Sequence, residues 1–151
     1  MLGRTHLAIG VLCALFLLPF ISVPSKILFV FVVALGSILP DVDHEKSKIN
    51  RLCPVTRIVP AFFKHRGFFH SLFPPALIIL AGWYFHEQFL CYSLAFGYMT
   101  HLLSDSLTRM GINFLHPFST LHIRGPIETG TMVETAIFFG VMVGIVLKLF
   151  V

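Results

Sequence analysis

Charge is scarce in this sequence. Asp, Glu, Lys and Arg together make up 12% of 151 residues, about half the share usual in a soluble domain, which excludes an ordinary soluble globule. With 56% hydrophobic residues, a disordered or low-complexity chain is excluded as well. Cysteine is sparse and unpatterned. Cys13, Cys53 and Cys91 form no CxxC pair, and their odd number argues against a disulfide framework. The eleven Lys and Arg residues form no long block, so the net charge of +4 is read as membrane topology, with no nucleic-acid partner expected. There is no internal repeat, and the length suits one domain, residues 1–151.

What the chain does have is long apolar sequence and seventeen Phe. Apolar stretches run from Leu7 to Val23, Ile27 to Leu39, Leu72 to Phe85, Phe89 to Leu103 and Met132 to Val151. A helix needs roughly 20 residues to cross a bilayer core, and the last stretch meets this, the first nearly so. The segments 27–39 and 72–85 are short enough for one of them to be re-entrant or incompletely spanning. The expected fold is all-α: a multi-pass integral membrane helical bundle with four to five transmembrane helices. The first stretch is read as an uncleaved anchor, since Pro24 stands where a signal-peptidase site wants small residues. With five crossings, the N-terminus and the loops 40–71 and 106–130 share one side. That side carries nine Lys and Arg residues against Lys26 and Lys148 on the other. The positive-inside rule then puts the long loops and the N-terminus in the cytoplasm, with the chain in a plasma membrane.

Ionisable groups are costly near apolar segments and point to function there. His6 opens the first stretch, Asp41, Asp43 and His44 follow the second, and His65 and His70 close the loop 40–71. His101 and Asp105 stand near the end of the fourth stretch. On the expected topology all eight lie at the cytoplasmic face, while His86 falls on the other. His101 and Asp105, four apart, share one helix face and can converge on one ion. Asp41 and Asp43 flank Val42 after the helix-stopping Pro40, and Gly67 permits a turn between His65 and His70. Eight nitrogen and oxygen donors exceed what one tetrahedral ion uses, so one or two divalent ions are expected. Mixed imidazole and carboxylate ligation suits zinc, manganese or iron better than calcium. Each cluster alone has a plain structural explanation, a helix-terminal carboxylate or a buried hydrogen-bonded pair; three clusters on one face favour a metal site. His116 and His122 read as solvated loop residues, and Thr131 to Glu134 as a capping box at the start of the last helix.

These residues resemble the YdjM-type inner-membrane proteins, a family described as metal-dependent hydrolases, some of whose members are described as regulated by the LexA repressor. The resemblance rests on Leu39-Pro40-Asp41-Val42-Asp43-His44, on His65-Arg66-Gly67-Phe68-Phe69-His70-Ser71-Leu72, and on Gly97 to Asp105 with Leu107-Thr108 and Gly111. His6, Pro117 and the stretch Gly130 to Glu134 also fit. Two departures stand beside the motifs: Phe69 where the family usually has Thr, and Arg109 where Pro often follows the Leu-Thr pair. The resemblance implies a multi-pass inner-membrane protein with a bound metal and hydrolase activity.

The expected function is therefore a membrane-bound metal-dependent hydrolase. His6, Asp41, Asp43, His44, His65, His70, His101 and Asp105 are the expected metal ligands. Asp43 is a candidate general base, and the planar donor fork of Arg66 is placed to hold an anionic substrate such as a phosphate ester. Membrane lipid is an expected partner, and a lipid or other amphiphile an expected substrate class. A divalent-metal transporter or a metal-stabilised structural protein are the alternatives.

Overall fold

The computed structural model describes residues 1–43 and 67–150. Five α-helices account for most of it: α1 Gly3–Leu17, α2 Lys26–Gly36, α3 Phe73–Tyr84, α4 Gln88–Ser106 and α5 Met132–Phe150. Short 3-10 turns at Leu18–Phe20, Leu39–Asp43 and Phe68–His70 lie at helix ends. No strand occurs among the described residues; two isolated bridges, Thr108 with Ile127 and Ile112 with Ile123, tie the 107–130 loop together.

Local sequence explains the breaks. Pro19 lies in the turn that ends α1, and the Ser25 side chain accepts from Leu28 N at 3.3 Å to start α2. Gly36, Ser37 and Pro40 end α2. Pro74 and Pro75 are tolerated in α3 because they occupy its first turn, where their missing N–H groups have no helical partner. His86, at φ 59°, turns the chain between α3 and α4.

Helices α2 and α3 are a little shorter than their apolar stretches. At 1.5 Å per residue, α2 and α3 span only about 17 Å, well under the roughly 30 Å of a bilayer core. Among the described residues two helical segments are both long and apolar enough to cross: Gly3–Phe20 and Met132–Phe150. Length and composition thus account for two of the expected four to five crossings. Helix α4 has the length, but His101, Ser104 and Asp105 make its last turns polar.

Helix α4 sits at the centre, packed against α1, α2 and α3, while α5 packs on α1. Ala14, Phe29 and Val33 form one buried cluster, closed by Leu17 and Phe96, and Tyr98, Leu102 and Ile112 form another. The α2–α4 crossing is backbone on backbone. A Cβ on Gly36 would collide with the Leu94 carbonyl, and one on Gly97 with the Val33 carbonyl. At the α1–α2 contact, a Cβ on Gly10 would stand 2.6 Å from Ser37 Cβ. These close approaches bring the start of α1, the end of α2 and the end of α4 to one place.

Candidate metal centre

Five side chains from four separate segments meet at that end of the bundle: His6 from α1, Asp41 from the turn after α2, His70 from the turn before α3, and His101 and Asp105 from α4. His6, His70, His101 and Asp105 are almost wholly buried, and Asp41 is partly so. The His6 and His101 rings stack at 3.7 Å, and His70 meets His101 edge-on at 5.3 Å.

Asp105 lies at the middle. Its Oδ1 is 3.2 Å from His6 Nε2, and its Oδ2 is 3.7 Å from His70 Nε2 and 3.8 Å from His101 Nε2. The Met1 amino group also lies on Oδ1. Across the site, Asp41 Oδ1 is 3.9 Å from His101 Nε2. Burial pushes the Asp41 carboxyl above the usual carboxylate range; His6 and His70 pull it back, and Asp105 adds to the push.

Hydrogen bonds behind the rings decide which nitrogens face inward. His101 Nδ1 lies 2.8 Å from the Ser37 carbonyl, which can only accept, so Nδ1 carries the proton. Its Nε2 has no hydrogen-bond partner among the described residues. Ser104 donates its only hydroxyl proton to the His101 carbonyl at 2.9 Å, so it accepts from His6 Nδ1 at 2.7 Å. Held in this way from behind, both rings turn Nε2 toward the Asp105 carboxylate. Imidazole nitrogens and carboxylates converging in a dry interior call for positive charge among them, which the Met1 amino group supplies in part and a metal ion or protons can complete. Separations of 3.2 to 3.9 Å are those of two ligands each about 2.1 Å from one ion. An imidazole fixed through its other nitrogen by a carbonyl or hydroxyl is the usual support of a metal-ligating His. The residues present fit a divalent metal.

Two ligand groups share a residue: His6, Asp41 and His101 form one, and His70, His101 and Asp105 the other. With Nδ1 committed to Ser37, His101 has one nitrogen to give and can serve one ion. Asp105, by contrast, offers one oxygen to His6 and the other to His70 and His101, the arrangement of a carboxylate able to bridge.

Of the residues singled out from sequence, His6, Asp41, His70, His101 and Asp105 are brought together. The backbone of Asp43 falls in the turn after α2, but its side chain lies outside the description, and His44, His65 and Arg66 lie outside the described residues. His86 is at the far end of α3, and His122 is exposed with Nδ1 2.9 Å from the Thr120 carbonyl. The expected capping box is not formed as drawn. Thr131 Oγ1 donates to the Glu128 carbonyl at 2.8 Å, and Glu134 accepts from Gly130 N at 2.6 Å and Leu2 N at 2.5 Å. Glu134 is buried and ties the start of α5 to the start of α1, one turn before His6.

Sequence reasoning missed Ser37 and Ser104. Ser104, three residues after His101 and next to Asp105, carried a usable signal in its helix spacing. Ser37 contributes a carbonyl, which no residue type encodes.

The family model described as YdjM inner membrane protein matches residues 1–150. Among curated proteins, the chain is 34% identical to "Uncharacterized protein YvsG" of Bacillus subtilis, an alignment covering 71% of this chain and 69% of that protein. It is 31% identical to "Inner membrane protein YdjM" of Escherichia coli, covering 78% of this chain and 66% of that protein, and equally to the Shigella flexneri protein of the same name. The chain thus spans about two thirds of the length of these relatives. No solved structure matches.

Proposed function

The chain belongs to the YdjM family of bacterial inner membrane proteins, and from that premise we propose that it is a membrane-bound metal-dependent hydrolase. One observation carries the reading: the Nε2 atoms of His6 and His101, with the rings held from behind by Ser104 and Ser37, converge on Asp105 beside His70 and Asp41. His6, Asp41, His70, His101 and Asp105 would hold one or two divalent ions, zinc foremost, with manganese or iron as alternatives. A divalent ion in such a site polarises a scissile group and brings water ionisation toward neutral pH.

The chain's own groups divide the remaining work. Asp105 and Asp41 place negative charge at the centre, and the buried walls exclude bulk water. Asp43 and Arg66 are assigned from sequence as general base and as the holder of an anionic group, a phosphate ester fitting both. The centre is placed at the cytoplasmic face of a multi-pass bundle, because nine of the eleven Lys and Arg residues fall on that side. Helices α2 and α3 would then be partial crossings beside α1, α4 and α5.

The test is a screen of phosphate and carboxylate esters on the purified protein with and without a chelator. Chelator-sensitive turnover, lost in Asp105→Asn, is expected. Zinc or manganese flux into proteoliposomes with no turnover of any ester would contradict the reading and favour a transporter.

A further inference from the structure

His70 reaches the centre from a turn crowded with aromatic rings. Phe68 stacks on Phe73 at 6.3 Å, Phe73 meets Phe118 at 5.6 Å, and Phe68 meets Phe69 edge-on at 5.8 Å. Tyr98 fixes the turn by donating to the Phe69 carbonyl at 2.5 Å, and Leu72 N donates to the Phe114 carbonyl at 2.9 Å, joining it to the 107–130 loop. The rings lead outward. Phe118 is 83% exposed at the loop tip, and Leu115 and Leu121 beside it are exposed too.

The shelf continues along a helix. Phe73, Leu77, Leu80 and Tyr84 follow one another at steps of four, three and four residues, so they share one face of α3. Leu77, Leu80 and Tyr84 are exposed along it. An apolar track therefore runs along α3 to Phe73, whose ring stacks on Phe68, two residues before His70. Its length, twelve helical residues or about 18 Å, is that of an extended lipid acyl chain in one leaflet. A soluble substrate has no use for such a track, and a phenylalanine at a loop tip is costly in water.

We propose that the Phe68–Phe73–Phe118 shelf and the Phe73–Tyr84 face of α3 bind the hydrocarbon chain of a membrane lipid, whose polar head is thereby delivered to His70 and the centre. The occupant is a lipid of the surrounding leaflet, because the chain belongs to an inner membrane family and the exposed apolar track matches one acyl chain in length. The part concerning turnover rests on the hydrolase reading; the part concerning binding does not. For a phosphate ester, turnover consumes one water, breaks the P–O bond to the alkyl oxygen, forms one to the water oxygen and leaves a proton on the released alcohol.

The test uses the full chain in phospholipid nanodiscs. Trp83 is the sole tryptophan, so Trp83→Phe with Phe118→Trp leaves one indole, at the shelf. Phosphatidylcholine brominated on its acyl chains is the probe. Several-fold quenching by the bromolipid, with little effect of aqueous iodide, is expected, and Phe73→Trp in the same background should repeat it. Strong iodide quenching with no bromolipid effect at both positions would overturn the proposal. A second measurement compares tetradecyl phosphate with butyl phosphate. Phe118→Ser should raise KM for the long ester several-fold more than KM for the short one. Bromolipid quenching without hydrolysis of either ester would refute the hydrolase reading and leave the chain site standing. Equal KM for both esters, with iodide quenching, would refute the chain site and leave the hydrolase reading intact.

Discussion

Adding one methyl group at Gly10 should loosen the metal centre from a distance. The new Cβ would stand 2.6 Å from Ser37 Cβ and 2.7 Å from Ser37 Oγ, with Thr100 Oγ1 at 3.5 Å. Relieving the first contact to an ordinary carbon–carbon distance requires α1 and α2 to part by about 1 Å. A rotamer change cannot relieve the first contact, because Ser37 Cβ is fixed to its backbone. The same residue supplies the carbonyl that holds His101 Nδ1 at 2.8 Å, and α1 carries His6, stacked on His101 at 3.7 Å. A shift of about 1 Å, shared between these contacts, weakens both. Overpacking of this kind costs about 1–3 kcal/mol. A buried imidazole N–H left without its acceptor costs about 1–3 kcal/mol more. Loss of a supporting hydrogen bond to a metal ligand lowers metal affinity by roughly 10- to 100-fold. Gly10→Ala should thus melt earlier in detergent and lose metal at chelator concentrations the parent tolerates. Gly140→Ala is the control: nothing lies within 4 Å of its Cβ, so it should bind metal as the parent does. A Gly10→Ala protein with the parent's melting temperature and metal affinity would refute the packing argument.

Gly97→Ala should be at least as damaging, since its Cβ would meet Val33 C at 2.9 Å and Ser37 N at 3.0 Å; thermal melting with and without added zinc reads this. His6→Ala and His101→Ala should each lose metal on elemental analysis, while His86→Ala and His122→Ala retain it. Glu134→Ala, which frees the Leu2 and Gly130 amides, should lower the melting temperature by the equivalent of about 1–3 kcal/mol, and calorimetry in detergent checks it. Cysteine introduced at Ser47 or Ser119, in a background without native cysteines, should resist impermeant thiol reagents in intact cells; ready labelling of both from outside would reverse the topology.

The helical character was legible from local signals, apolar runs and Pro and Gly breaks, and the meeting of His6, Asp41, His70, His101 and Asp105 from the alternation of the stretches, which puts the ends that carry them on one side. The shortness of the segments 27–39 and 72–85 was legible too, but the residues at which their helices end were not. The apolar runs at 27–39 and 72–85 extend past the helices because hydropathy does not see where Ser37 and Pro40 halt α2, or where Phe85 and His86 turn the chain. The capping box at Glu134 was misread for a related reason. The carboxylate's best donors were Gly130 N and Leu2 N, the latter 132 residues away and invisible to any local pattern. Ser37 escaped notice because its role belongs to a backbone carbonyl placed by the close approaches at Gly10, Gly36 and Gly97.

The most direct test of the central claim is the metal content of the purified chain, measured by elemental analysis alongside Asp105→Ala and His101→Ala. One or two divalent ions per chain are expected in the parent, removed by chelator with a fall in melting temperature and restored on adding the ion back. Ion binding to the folded state alone should stabilise by about 2.7 kcal/mol when the free ion is at a hundred times its Kd. Both variants should fold less stably, hold less than the parent, and show no such shift. A parent protein that carries no metal, and whose melting temperature is unmoved by zinc, manganese or iron, would contradict the account.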